Sequence, residues 1–353
     1  MGPSAQLPAH HRVDGRGWVS HVTRCVERTQ GPTAGLPLRN GANDVRQTST
    51  RGNSARRTPE RLALLRRASA SGLRRRFGAE PGGQGPGGRT YLPLAVAGSR
   101  SSGMAWVPAG HFSMGCDPGH NAGCACHDNE LPLHVVRLDA YWIDLTEVTN
   151  AAYGRWVAVG ACAPPSRTYS RTRTNYFGSA QYAEYPVIYV SAGAAEADCR
   201  WAGKRLPTKA EWEKAARGAS DTRPFPWGDQ PPTCDLVNVY FCTGEYCVGD
   251  TNRVLSYSRG ASPFGVLDLT GNAWEWVAEQ YSPSYYVVSP VDNPRGPATG
   301  EEQVVRGGGF CFCPDYCLRS GYRFPQDPGL LSYGIGFRCA MTADAPGGRT
   351  AGR

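Results

Sequence analysis

Histidine is absent after His134, so the C-terminal part of this 353-residue chain has no imidazole for a catalytic triad or a mixed Cys/His zinc site. Neither a Gly-rich Walker loop nor a nucleophile elbow of the G-x-S-x-G type occurs, which removes the common nucleotide-hydrolase and serine-hydrolase readings. No run approaches the roughly 20 apolar residues of a membrane span. The longest candidate, "YLPLAVAG", is too short. No signal-peptide pattern opens the chain, and no internal repeat has a fixed period.

Charge is distributed unevenly. Residues 1–103 carry 17 Arg and no Lys against 5 acidic groups, a net of +12. The rest holds 38 − 17 = 21 basic and 30 − 5 = 25 acidic groups, a net of −4. A nucleic-acid role through the folded part is therefore excluded on charge, since the basic character belongs to the leader alone. That leader is rich in Arg, Gly, Ser and Pro and too poor in apolar residues to offset ordering entropy. It is expected to be disordered, or to reflect a start site placed upstream of Met104. Its one periodic piece, "TPERLALLRRASASGLRRRF", has the pattern of a short basic amphipathic helix. Twelve of the 13 cysteines follow residue 104, which favours a periplasmic or secreted location despite the missing signal.

From Met104 the pattern is that of an α+β domain to residue 343, followed by a disordered tail, 344–353. "MAWVPAGHFSMG" alternates as a half-buried strand, and a second strand is expected from Val135 to about Ile143. Thr149 caps a helix whose Ala152, Tyr153, Trp156 and Val157 share a face, closed by Gly160. Another helix spans about Ser191 to Gly203. A third opens on a capping box, Thr208 with Glu211, and stops at Gly218. Trp201, Trp212, Trp274 and Trp276 are expected in the core. "PFGVLDLTGNAWEWVAEQY", "EEQVVRGGGFCF" and "GIGFRCAM" supply short strands between Gly turns.

In order, "VPAGHFSMG", "IDLTEVTNAAY", "YPVIYVS", "AGKRLPTKAEWEKAARG", "FPWGD", "GVLDLTGNAWEWVAE", "VVRGGGF" and "GIGFRCA" resemble the formylglycine-generating enzyme family, also called sulfatase-modifying factors. The resemblance covers about residues 104–343. It implies a compact, C-type-lectin-like fold of low regular secondary structure. It also implies an oxidase that uses O₂ and copper to convert a sulfatase cysteine, within an unfolded Cys-X-Pro-X-Arg segment, to Cα-formylglycine.

Soft Cu(I) is bound well by two opposed thiolates. The family motif places its second cysteine at Cys317, after Tyr316. Its first falls on Phe312, between Cys311 and Cys313, and its serine on Gly309. If this stretch is extended, positions 311, 313, 315 and 317 share one face, and a one-residue bulge brings two thiols together. Cys317 with Cys313 or Cys311 is then the candidate copper pair, with Tyr316 beside the substrate. The alternative is structural disulfides, among them Cys311 or Cys313 paired with Cys234, Cys242 or Cys247. The resemblance further implies a Cys199–Cys339 bridge. Its other bridge would need cysteines where Ala216 and Tyr322 stand. Cys116 with Cys124, or with Cys126, is expected to staple the "GCDPGHNAGCAC" loop.

The family's calcium loop falls on Asp268, Gly271, Ala273 and Glu275, whose hard oxygens suit Ca²⁺. A second calcium site would begin at Asn238 and Val239, with Asp250 as a substitute acid. Two functions are compatible with this pattern: a formylglycine-generating oxidase, or a non-catalytic, calcium-stabilised binding or cell-envelope domain on the same fold.

Overall fold

A computed structural model describes residues 103–123, 125–241, 244–311 and 318–343. The leader with its expected amphipathic helix, the tail, and residues 312–317, which include Cys313, Tyr316 and Cys317, lie outside the described residues.

The stretch expected as one strand from Met104 divides into β1 (Met104–Val107) and β2 (Gly110–Met114). Pro108 interrupts it because proline has no N–H for a ladder. The expected Val135–Ile143 strand also divides, into β3 (His134–Leu138) and β4 (Tyr141–Asp144). Between them, the Asp139 amide donates to Asn293 Oδ1 at 2.9 Å, outside any sheet. This break lets β2 and β3 pair as one antiparallel ribbon while β4 joins a different sheet, between β1 and β9 (Ala340–Thr342). The third sheet is built around β5 (Trp274–Gln280). It runs antiparallel to β6 (Gln303–Arg306) and parallel to β8 (Ile335–Phe337), and β7 (Phe324–Gln326) flanks β6.

Helix α1 (Asn150–Ala158) is capped by Thr149, which accepts from the Ala152 amide. Ser191 caps α2 (Ala192–Trp201) in the same way. In α3 (Lys209–Arg217) both halves of the Thr208/Glu211 capping box form, and Gly218 ends the helix at φ 88°. A short helix, α4 (Tyr285–Val288), lies in a stretch without a helical pattern of its own. Trp212, Ala215 and Ala216 of α3 pack on β1–β4 in one core cluster. Tyr153, Ala195, Cys199, Trp276 and Phe337 form another. Trp201, expected inside, is 52% exposed at the end of α2, with its ring 5.8 Å from that of Trp156.

Helix α3 is buried along its whole length, so its charges need internal partners. Lys214 Nζ donates to the carbonyls of Pro108 (2.8 Å) and Gly110 (2.9 Å), which fixes the β1–β2 corner. Burial, with a smaller contribution from Arg137, lowers its pKa to about 8. The unfolded chain then binds more protons than the folded one between about pH 8 and 10.5, so stability rises with pH across that window. The neutral amine keeps two N–H donors for the two carbonyls. Denaturant titrations from pH 7.5 to 10 are expected to show a gain on the order of 2 kcal/mol. Lys214→Met should flatten that rise.

Cys199 is bonded to Cys339 across 140 residues, joining α2 to the segment between β8 and β9. Closing so long a loop contributes ~3–5 kcal/mol. Cys116 is bonded to Cys126, not to Cys124, which lies outside the described residues. The cause is local: the Cys116 amide donates to the Glu130 carbonyl at 3.0 Å, bringing the end of the loop back beside Cys116. Cys234 pairs with Cys247, so neither is a partner for Cys311.

Candidate active site

Strand β6 ends at Arg306, whose side chain anchors the turn after the strand. The fully buried guanidinium donates from Nη1 to the carbonyls of Gly321 (2.8 Å) and Tyr322 (2.5 Å), and from Nη2 to Glu213 Oε2 (2.5 Å). Gly307 and Gly308 then take φ values of 89° and 74°, a left-handed pair that turns the chain out of the sheet. The extended run expected through Cys311 is therefore not present: Phe310 and Cys311 sit in a turn. Alternation along a strand does not describe where the Cys311 thiol points.

That turn is held against the 271–274 loop. The Gly271 amide donates to the Gly307 carbonyl (2.9 Å) and the Phe310 amide to the Asn272 carbonyl (3.0 Å). The Trp274 amide in turn donates to the Gly334 carbonyl (2.9 Å). Cys311 is half-buried and packs against the cluster formed by Tyr176, Ile188, Tyr189, Phe310 and Tyr333. Its sulfur lies 3.6 Å from the position a Cβ would take on Gly334. Tyr189 and Tyr333, with Ser166, Arg167, Tyr169 and Ser332, line a cavity of about 150 Å³. Arg167 is exposed at its rim.

Tyr189 holds φ at +60°, a costly conformation for a bulky residue, and this sets its ring edge-on to Tyr169 at 5.5 Å. Its hydroxyl is buried without a hydrogen-bond partner. Burial first, and the neighbouring Tyr169 second, raise its pKa, so it stays protonated and able to donate. Nothing in "YPVIYVS" marked Tyr189 as a site residue, because a positive φ leaves no signal in the side-chain pattern.

The calcium-loop candidates are on the same loop that supports the turn. Asp268 (φ 56°), Gly271 (φ 73°), Ala273 and Glu275 are all buried or backbone-enclosed. A side chain at Gly271 would meet the Asn238 carbonyl at 2.5 Å, so only glycine allows that approach. Glu275 is engaged on both oxygens. Arg338 donates to it from Nε and Nη2, each at 2.7 Å, and Trp212 Nε1 donates at 2.8 Å.

A further acid, Glu147, enters the cluster unanticipated. Its Oε1 accepts from Asn272 Nδ2 (2.9 Å), while its Oε2 is buried without a partner. Burial, then the charges of Asp268 and Glu275, push its pKa well up. Burial likewise lifts Asp268 to about 6. Glu147, Asp268 and Glu275 thus set three buried carboxylates against one guanidinium, Arg338. A divalent cation with oxygen ligands fits that excess of negative charge.

The second calcium stretch fits less well. Asn238 Oδ1 is buried and unpartnered, but the Val239 carbonyl accepts from the Cys247 amide (2.9 Å). The Asp250 carboxylate accepts from Ser170 Oγ, from the Thr172 amide and hydroxyl, and from the Thr251 amide. Only the backbone carbonyl of Asp250 reaches Asn238. The substitute acid is turned away from its expected place.

A model of the sulfatase-modifying factor enzyme 1-like domain matches residues 94–343. A formylglycine-generating enzyme of Streptomyces coelicolor is 34% identical over 305 residues, 73% of this chain and 96% of that protein. One from Bos taurus is 29% identical over 77% of this chain and 81% of its own. Among solved structures, PvdO from Pseudomonas aeruginosa is similar at a TM-score of 0.56 and 26% identity, covering 68% of this chain and 94% of that one.

Proposed function

The chain belongs to the sulfatase-modifying factor family, and from that membership we propose that it is a copper-dependent oxidase. Its substrate would be a cysteine in an unfolded sulfatase segment with the pattern Cys-X-Pro-X-Arg, and its product Cα-formylglycine. The supporting observation is the half-buried Cys311, packed against tyrosines that line a cavity with an exposed arginine at its rim. Cys317 with Cys313 or Cys311 supplies the thiolates that would hold copper, and the metal, when bound, supplies one-electron exchange with O₂. Arg167 offers donors to the carbonyls of an extended peptide, and Tyr316, by its match to the family motif, would stand beside the substrate. The rings of Tyr169, Tyr189 and Tyr333 would shield one side of a reacting sulfur from water. Calcium, held by Asp268 and the carbonyls of Gly271 and Ala273, with Glu147 in place of the expected Glu275 whose oxygens Arg338 and Trp212 occupy, would brace the turn from behind.

The test is a peptide carrying Cys-X-Pro-X-Arg, incubated with Cu(I)-loaded protein in air. The peptide is expected to lose its thiol and gain an aldehyde that a hydrazide reagent captures. Cys317→Ser should abolish both changes. An intact peptide thiol under saturating copper and oxygen overturns the reading.

One observation favours the second reading, a non-catalytic, calcium-stabilised binding or cell-envelope domain. At Gly309, where the family motif carries serine, a Cβ would stand 3.1 Å from Trp274 Cδ1 and 3.4 Å from the Gly334 carbonyl. A serine there would need Trp274 to yield by a few tenths of an ångström. On this reading calcium still stabilises the protein while the peptide keeps its thiol.

A further inference from the structure

The Cys199–Cys339 bridge has an uncommon neighbour. Cys162, which follows α1, carries a half-buried thiol that is not in a disulfide. It packs against the core cluster that contains both bridge cysteines. Its sulfur is 4.0 Å from Asp198 Oδ1. Asp198 precedes Cys199 on α2, is 1% exposed, and its Oδ2 is buried without a partner. A carboxylate oxygen of Asp198 and the sulfurs of Cys199 and Cys339 all lie within 4.8 Å of one another. One carboxyl group therefore lies 4.0 Å from a thiol on one side and within 4.8 Å of a disulfide on the other.

Closing a metal site there is chemically unavailable, because both sulfurs are consumed in the bridge. The buried acid's one side-chain contact is the weak one from the Cys162 thiol, and its other oxygen has none. A carboxyl between a thiol and a disulfide does have a chemical use, as the group that carries a proton from the attacking sulfur to the leaving one.

We propose that Cys162, Asp198 and the Cys199–Cys339 bridge form an internal thiol–disulfide exchange site. Asp198 takes the proton of the Cys162 thiol, and the Cys162 sulfur attacks Cys199 Sγ. The Cys199–Cys339 bond breaks, a Cys162–Cys199 bond forms, and the proton passes from Asp198 to the departing Cys339 sulfur. One thiol and one disulfide enter and leave, so no external oxidant or reductant is needed. Groups around the carboxyl suit the transfer. Burial first, and Asp144 on β4 second, raise the basicity of Asp198, its pKa reaching about 8, while Lys204 opposes them. Burial also raises the Cys162 thiol, and Tyr153 on α1 faces it.

Exchange would matter beyond the bridge. Cys339 follows Arg338, which grips Glu275 in the calcium-loop cluster, and the Cys339 amide donates to Asp144 Oδ2 at 2.9 Å. Releasing Cys339 slackens the strand pair that positions Arg338.

The full-length protein, free of reductant, is treated with limiting N-ethylmaleimide at pH 7.5, quenched in acid and mapped as unreduced peptides. A Cys162–Cys199 linked peptide and alkylated Cys339 are expected to accumulate together. Cys162→Ser should abolish both. Asp198→Asn should keep the Cys199–Cys339 connectivity but slow their appearance by at least about tenfold. Alkylation at Cys162 alone, beside an untouched Cys199–Cys339 bridge in the wild-type chain, overturns the proposal. Neither result depends on whether the protein oxidises a peptide.

Discussion

Glu213→Ala is expected to destabilise the domain by about 3–5 kcal/mol, the cost of leaving buried charge without its partner. Glu213 is fully buried on α3, and its two oxygens serve three separate parts of the chain. Oε1 accepts from the Gly115 amide (2.7 Å) and from Arg217 Nη2 (3.0 Å), and Oε2 accepts from Arg306 Nη2 (2.5 Å). Removing the carboxylate strands two guanidinium groups that are 2% and 0% exposed. Arg217 keeps the Gly115 and Thr222 carbonyls, and Arg306 keeps those of Gly321 and Tyr322. Those contacts satisfy N–H groups but supply no countercharge. Glu213→Gln, which retains an acceptor of similar shape, should cost less. Urea denaturation at neutral pH measures both, with an unchanged slope showing that only stability moved. A loss below about 1 kcal/mol would mean that the two guanidinium groups find solvent, contrary to their burial.

The local parts of this fold were legible, and the long-range parts were not. Thr149 and the Thr208/Glu211 pair could be read because a cap and its amide are three residues apart. Pro108 and the Asp139 break were visible as residues but not as boundaries. An alternating pattern continues across a proline or a side-chain-capped amide without revealing that the strand has changed sheets. The Cys199–Cys339 bridge spans 140 residues and was reached only through family resemblance. Cys116 was legible as a loop staple, while the choice of Cys126 went with a hydrogen bond from the Cys116 amide to the Glu130 carbonyl that no local pattern shows. At the candidate site the sequence pointed to the cysteines, Asp268 and Glu275. It did not point to Arg338 as the partner of Glu275, 63 residues away, or to Glu147, 125 residues from the Asn272 that holds it. A buried ion cluster is assembled by the fold, and no spacing rule encodes it.

The composition of that cluster makes Arg338 the most informative residue to remove. Arg338→Met leaves Glu147, Asp268 and Glu275 with no countercharge among the described residues that contact them, and takes away donors to the Asp144 and Leu267 carbonyls. Without calcium the expected loss is about 3–5 kcal/mol, as for Glu213→Ala. The two variants should part on adding metal. A site that binds only the folded state returns about 2.7 kcal/mol when calcium stands at roughly a hundred times its dissociation constant. Millimolar CaCl₂ should therefore stabilise wild type and Glu213→Ala alike, leaving the difference between them unchanged. It should stabilise Arg338→Met by more, since removing the guanidinium strengthens cation binding. An equal ionic strength of NaCl should recover neither loss, because screening acts weakly on buried groups. Glu147→Gln in the Arg338→Met background should weaken the rescue, since it withdraws the acid with the open oxygen. Thermal melts in EGTA and in calcium read all three. If Glu147→Gln leaves the calcium-induced rise in melting temperature unchanged, calcium binds elsewhere, and the three carboxylates are neutralised by protons instead.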